Sequence, residues 1–195
     1  MTFDPEKHAR GSIRLPRYDY TQPGAYFITI CAADRRCIFG EIIDGTMRLN
    51  RNGLIAAAQW AGLPKHYSNA MLDEFVLMPN HVHGIICLTD GQHSSVGAGF
   101  KPALTSPQSK PRHRLPEIIR GFKTFSSRSI NQLRGTAGAP VWQRNYYEHV
   151  VRGEDDLDHI RRYIIENPLK WAEDPENPIT GQVSATRFAG GRERF

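Results

Sequence analysis

Cysteine is scarce, at 3 of the 195 residues. Cys31, Cys37 and Cys87 stand in apolar, strand-like runs without the close spacing that thiolate metal ligands need. That argues against a disulfide framework or a zinc ribbon and points to buried thiols in a reducing compartment. Long hydrophobic runs are missing too. Apolar residues make up 39% of the chain, yet no run of them approaches the ~18–20 residues of a membrane span. Residues 1–8 are charged and lack the apolar stretch of a secretory signal, so a cytoplasmic protein with no membrane partner is expected. Gly121-Phe122-Lys123-Thr124 lacks both the Gly-Lys adjacency and the preceding glycine spacing of a phosphate-cradling loop. The sequence also lacks the dense carboxylate cluster that holds two metals in a phosphoester hydrolase.

Acid is what the middle of the chain has least of. Residues 101–134 carry Lys101, Lys110, Arg112, Arg114, Arg120, Lys123, Arg128 and Arg134 against one acid, Glu117, in a chain of net charge +5. Such a cluster suits a polyanionic partner. A solvated helix face is the alternative from charge alone.

Residues 1–24 read as an N-terminal arm, with Pro5, Gly11, Pro16, Pro23 and Gly24 and little periodicity. Residues 25–32 form a strand; a turn at Arg35-Arg36 leads to another at 37–43, and Asp44-Gly45 is a hairpin turn. Residues 54–61 favour a helix, capped by Asn50 or Asn52. A strand at 74–78 turns at Pro79-Asn80 into a further strand, 81–88. Residues 89–114, rich in Gly, Ser, Pro and Gln, make a connection longer than compact domains normally use and read as a mobile basic loop. Leu115, Ile118, Ile119, Phe122, Phe125, Ile130 and Leu133 then recur at helical spacing, with Arg120, Lys123, Ser127 and Arg128 largely off the stripe. Residues 141–151 are expected to be extended, with Trp142 a core anchor. A last helix opens near Gly153, takes Glu154, Asp155 and Asp156 in its first turn as the helix dipole prefers, and ends at Asn167 before Pro168. Residues 172–195 read as a loosely attached C-terminal tail. This order predicts an α+β domain over residues 25–171: a largely antiparallel sheet with helices on its faces, ferredoxin-like in outline.

His81-Val82-His83 is the most telling feature. On a strand, positions two apart share a face, so both imidazoles project from one spot. Two neutral imidazoles on a rigid element supply half of a divalent-metal site; two structural histidines sharing a face are the plainer alternative. The strand is apolar on its other face as well (Val82, Ile86, Leu88), which implies a central strand covered on both sides. Something must therefore pack over the histidines.

The last helix is the candidate. Leu157, Ile160 and Ile164 form its apolar stripe, Tyr163 borders it, and Asn167 lies one turn further on the same side. If this helix covers the histidine face, two imidazoles, an amide oxygen and a phenol converge. Such a set can cut a phosphodiester while conserving its bond energy, because a metal draws charge from a phosphate oxygen and the phenol attacks and later departs. Rejoining would then need no nucleotide cofactor. Tyr146 and Tyr147, in a polar run, are rival nucleophiles, and a plain helix cap is the rival role for Asn167.

At this point three motifs carry a resemblance: Met78-Pro79-Asn80-His81-Val82-His83, the segment from Trp142 to Arg152, and the segment from Arg162 to Lys170. In this order they resemble the HUH single-tyrosine transposases, most closely the REP-associated tyrosine transposase branch, over roughly residues 26–171. The resemblance implies that His81 and His83 are metal ligands with Asn167 as the third. It implies that Tyr163 is the nucleophile, forming a 5′-phosphotyrosine bond to single-stranded DNA and freeing a 3′ hydroxyl. It further implies Mg²⁺ or Mn²⁺ as cofactor, hairpin DNA of the repetitive extragenic palindrome type as partner, and a monomer or homodimer. Arg35, Arg36, Arg120, Lys123 and Arg144 are the candidate phosphate contacts, because hairpin flanks suit basic grooves with aromatic stacking. A hairpin-binding regulatory module without catalysis is the alternative function on the same fold.

Overall fold

A computed structural model describes residues 19–20, 22–90, 112–174 and 176–178. Expectations for most of the N-terminal arm, most of the basic loop and the end of the C-terminal tail fall outside these residues.

The chain is a mixed α+β fold on an antiparallel sheet, as the alternation of apolar runs and turns predicts. Strands β1 (Gly24–Cys31), β4 (Ala70–Leu77), β5 (His81–Leu88) and β6 (Tyr147–Val150) form a sheet in the order β4-β5-β1-β6. Every neighbouring pair runs antiparallel. β2 (Gly40–Ile43) and β3 (Thr46–Leu49) make a separate hairpin, turning through Asp44 and Gly45, both at positive φ. Of the predicted strand 37–43, only the second half pairs; Cys37 stays exposed rather than buried. All three cysteines are free.

Helix α1 (Arg51–Ala61) starts at Asn50, whose side chain accepts hydrogen bonds from the Asn52 and Gly53 amides and satisfies two open donors of the first turn. Asn52 instead donates to the Ile38 carbonyl. The short α2 (Leu63–His66) follows, and α3 (Leu115–Arg134) lies on the same side of the sheet. Their shared core joins Tyr26, Ile28 and Ile30 of β1 and Val82 and Ile86 of β5 to Trp60, Phe122 and Trp142. Trp60 stacks on Phe75 at 4.9 Å and meets Phe122 edge-on at 5.4 Å. Gly84 has a definite purpose here: a Cβ at that position would collide with the Trp60 ring.

The expected apolar stripe of α3 needs one correction. Phe125 and Leu133 are exposed, whereas Ser126 and Asn131 are buried. Ser126 Oγ donates to the Phe122 carbonyl and accepts from Trp142 Nε1 at 2.9 Å, so the indole anchors a polar position on the helix. Trp142 itself is buried and stacked on Phe39, the core role expected of it.

Helix α4 (Glu154–Glu166) covers the opposite face of the sheet. Among the described residues, the buried hydrophobic cluster there consists of Phe27, Ile85, Ile160 and Ile164. The helix does not simply stop before Pro168. Asn167 keeps right-handed helical angles (φ −57°, ψ −41°) and the chain continues as a 3₁₀ turn, Asn167–Glu173. Proline is tolerated because it occupies the first turn of that new element, where no amide donor is required. The consequence is functional geometry: Asn167 remains aligned beneath Tyr163 and is itself buried.

Candidate active site

The site grows out of sheet register. Cys31 pairs with His81, Thr29 with His83 and Phe27 with Ile85, so these side chains share one face of the sheet. β6 extends the rows, with Tyr147 opposite Thr29 and His149 opposite Phe27. His81 and His83 are both buried, and their Nε2 atoms stand 3.0 Å apart.

The neighbouring hydrogen bonds fix which imidazole nitrogen carries a proton. Asn80 Nδ2 donates to the Arg35 and Glu176 carbonyls, so Asn80 Oδ1 is the atom facing His81 Nδ1, at 2.8 Å. His81 Nδ1 must then be the donor, which leaves a lone pair on its Nε2. His83 Nδ1 meets Thr29 Oγ1 at 2.8 Å, a hydroxyl able to accept from it. This is how metal-binding histidines are oriented by the groups behind them. Burial keeps both rings neutral. It pushes His81 down to about 3, with the Arg35 charge adding to the effect. His83 is held well below its ordinary value by burial and then by His81.

Helix α4 brings the remaining groups. Tyr163 Oη lies 3.3 Å from His83 Nε2, and the two rings meet at 5.1 Å. The phenol stays 40% exposed, so its ring is supported by the protein while solvent or substrate can approach it. Burial, followed by the Asp174 charge, raises its pKa, which keeps the free phenol protonated at neutral pH. The helix is pinned from the side: Arg161 Nε and Nη2 donate to the two carboxylate oxygens of Asp73 at 2.8 and 2.6 Å. Asp73 sits in a β-bulge of β4 between Leu72 and Phe75; a bulge of this kind redirects a side chain out of the regular alternation.

Sequence reasoning missed a carboxylate. Asp174 is buried, with Oδ2 3.9 Å from His81 Nε2, and its ligand atoms cluster with those of His81 and His83 within 4.8 Å. It lies in the stretch expected to be a loose tail. Instead, the backbone of Glu176 accepts from Asn80, and its carboxylate takes a hydrogen bond from Cys31 Sγ (3.3 Å) and an ion pair from Arg35 Nε (3.1 Å). Nothing in the local pattern marked Asp174. The only available signal was its position seven residues beyond Asn167, at the end of the 3₁₀ segment that continues the tyrosine helix.

The donor set fits a divalent cation. Two cis ligands of an octahedral ion with ~2.1 Å bonds are about 3 Å apart, which is the separation of the two Nε2 atoms. Asn167 Oδ1 is buried with no hydrogen-bond partner, a costly condition that a cation relieves. Two imidazoles with a carboxylate and an amide oxygen are donors suited to a divalent cation.

The five expected phosphate contacts do not converge. Arg120, Lys123 and Arg144 line one open pocket of about 530 Å³ between α3 and the segment 142–146. Lys123, however, is committed within the protein, donating to the carbonyls of Gln143, Arg144 (2.9 Å) and Asn145. Burial pushes its pKa down to about 8. Its role is to hold that segment. Arg120, Arg144 and Arg36 are exposed, and Arg35 is tied to Glu176. Of the rival tyrosines, Tyr146 packs against the core on the far side of the sheet, while Tyr147 shares the histidine face.

No family model matches the chain. It is 38% identical over 171 residues to an uncharacterised protein of Haemophilus influenzae, covering 86% of this chain and 92% of that one. A second protein of that organism, named "Putative REP-associated tyrosine transposase", is 25% identical over 156 residues, 79% of this chain and 75% of its own length. The fold is shared with a REP-associated tyrosine transposase solved bound to a REP hairpin (TM-score 0.51, 16% identity, 80% of this chain and 73% of that one). The paired imidazoles facing a tyrosine thus stand on a fold shared with a tyrosine transposase. The chain belongs to one family with the first Haemophilus protein, and in sequence and fold it is similar to REP-associated tyrosine transposases. Among the described residues, no helix is long and apolar enough to cross a membrane.

Proposed function

We propose that this protein nicks and rejoins single-stranded DNA at hairpin sites of the REP-like palindromic kind, using Tyr163 as nucleophile beside a divalent metal. One observation carries the reading: Tyr163 Oη lies 3.3 Å from Nε2 of a histidine whose partner's Nε2 is 3.0 Å further on. Phenol and metal-binding imidazoles can therefore address the same backbone phosphate.

His81, His83 and Asp174, with Asn167 through its orphaned Oδ1, would hold Mg²⁺ or Mn²⁺, which supplies Lewis-acid polarisation of a non-bridging phosphate oxygen. Tyr163 attacks the phosphorus in line; an Oη–P bond forms, the bond to the 3′ oxygen breaks, and that oxygen leaves as a 3′ hydroxyl. The 5′ end stays on the enzyme as a phosphotyrosine. Attack by a 3′ hydroxyl reverses the step, so one phosphoester replaces another and no nucleotide is consumed. Asp73 and Arg161 keep the tyrosine helix in place, while Asn80 and Thr29 hold the imidazoles. Arg120 and Arg144 contribute phosphate contacts outside the reaction centre.

The test is a labelled palindromic hairpin with single-stranded flanks, incubated with protein and Mn²⁺ and run under denaturing conditions. A covalent protein–DNA band is expected, absent with EDTA and absent in Tyr163→Phe. Tight, salt-sensitive binding without any band under any divalent ion would instead mark a regulatory hairpin-binding module.

A further inference from the structure

Tyr147 is left unused by this chemistry, yet its placement is specific. It sits on β6, at the end of the strand order, directly across Thr29 from His83. The sheet row His83–Thr29–Tyr147 therefore points one way, toward the reaction centre. Phe27 links the parts: its ring is 5.4 Å from His83, 6.0 Å from Tyr163 and 6.4 Å from Tyr147. Tyr147 is 51% exposed, more than the nucleophile itself. Large aromatics on a sheet face are ordinarily covered, and two nearby residues of the chain are treated differently. Tyr146 is turned into the core, and His149 is held by Asp156 at 3.0 Å. An open ring, supported edge-on by Phe27 and two sheet positions from a metal-binding imidazole, has the form of a stacking surface.

We propose that Tyr147 is the platform on which the nucleobase next to the reacting phosphate stacks. The inference rests on the proposed strand transfer at Tyr163 and adds a ligand subsite to it. Its occupant is a single unpaired nucleobase of the hairpin's flank. Every base presents a π-face, so the contact fixes the position of the strand while tolerating any base there. A strand seated this way would have its phosphate held from two sides: by the cation that His81 and His83 would hold, and by the ring one nucleotide away.

The experiment uses the full chain with Tyr163→Phe, so that binding is read without cleavage, and the same hairpin in Mn²⁺. Each flank nucleotide in turn is replaced by an abasic residue. One position is expected at which the abasic change weakens binding by roughly 5- to 100-fold, the range of one base–aromatic stack. Adding Tyr147→Ala should weaken binding to intact DNA by a similar factor and erase the sensitivity at that position alone. Adding Tyr147→Phe should restore it, and changing the base identity there should matter little. The platform is overturned if the Tyr147→Ala protein binds intact DNA as tightly as its parent. It is equally overturned if every abasic penalty persists without Tyr147. Failure of the parent protein to bind hairpin DNA at all would remove the underlying functional reading as well, so the two failures are told apart by the parent alone.

Discussion

The two faces of the sheet are built on different principles. The face under α1 and α3 buries an extended aromatic and aliphatic core from Tyr26 to Trp142. Among the described residues, the face under α4 buries a smaller hydrophobic cluster, Phe27, Ile85, Ile160 and Ile164, and beside it sit His81, His83, Asn167 and Asp174. The larger hydrophobic core lies on the first face and the candidate site on the second. A buried polar cluster lowers stability unless its groups are partnered, so it is tolerable only where the opposite face already secures the strands. β5 serves both: Val82 and Ile86 belong to the core, and the histidines on either side of Val82 to the site.

This contrast is sharpest in core truncation. Trp60→Ala should lower unfolding free energy by about 3–5 kcal/mol, measured by urea denaturation. Among proteins that remain folded, Mn²⁺ affinity should be preserved. An equally large loss from His83→Ala would erase the distinction between faces.

Metal binding comes next. Free Mn²⁺ at a hundredfold its Kd should stabilise the protein by about 2.7 kcal/mol, read by calorimetry. His83→Ala or Asp174→Ala should remove most of that gain while leaving the metal-free protein near its original stability. A gain that survives Asp174→Ala would return the carboxylate to a purely structural role.

The Asp73–Arg161 clamp should have a smaller effect on stability than on activity. Asp73→Asn is expected to lower the melting temperature by a few degrees while slowing covalent adduct formation at unchanged hairpin affinity. The hydrogen bonds from Arg161 hold the Asp73 carboxyl below its usual 3.8. A carboxyl with a depressed folded pKa stabilises above its unfolded value and loses that contribution as pH falls through its folded value. The wild-type advantage over Asp73→Asn should thus be complete at pH 5–7 and shrink in acid below about 3.8.

Arg120→Ala with Arg144→Ala should leave stability within about 0.5 kcal/mol. The slope of hairpin affinity against salt should flatten by about 2. Lys123→Met is the contrast, since Lys123 holds the carbonyls of residues 143–145: it should cost both stability and binding.

Much of this was legible in the sequence because it depends on local periodicity. The two-residue spacing of His81 and His83, the Asn50 cap and the Asp44-Gly45 turn each follow from neighbours in the chain. So does the helix that carries Tyr163 and Asn167 on one side. Three things were not legible, each for a non-local reason. Lys123 reads as a surface cation until the segment 143–145 folds across it. Phe125 and Ser126 exchange expected burial because Trp142, sixteen positions on, donates to Ser126. Asp174 lies in a proline-rich stretch without periodicity and acquires meaning only when Asn80 and Arg35 bind the adjacent Glu176.

The most direct test of the central claim is to map the covalent DNA adduct by proteolysis and mass spectrometry after reaction with the hairpin in Mn²⁺. The expected result is a nucleotide joined through its 5′ phosphate to Tyr163. An adduct on Tyr147, or none under conditions where the hairpin is bound and the metal site is filled, would contradict it.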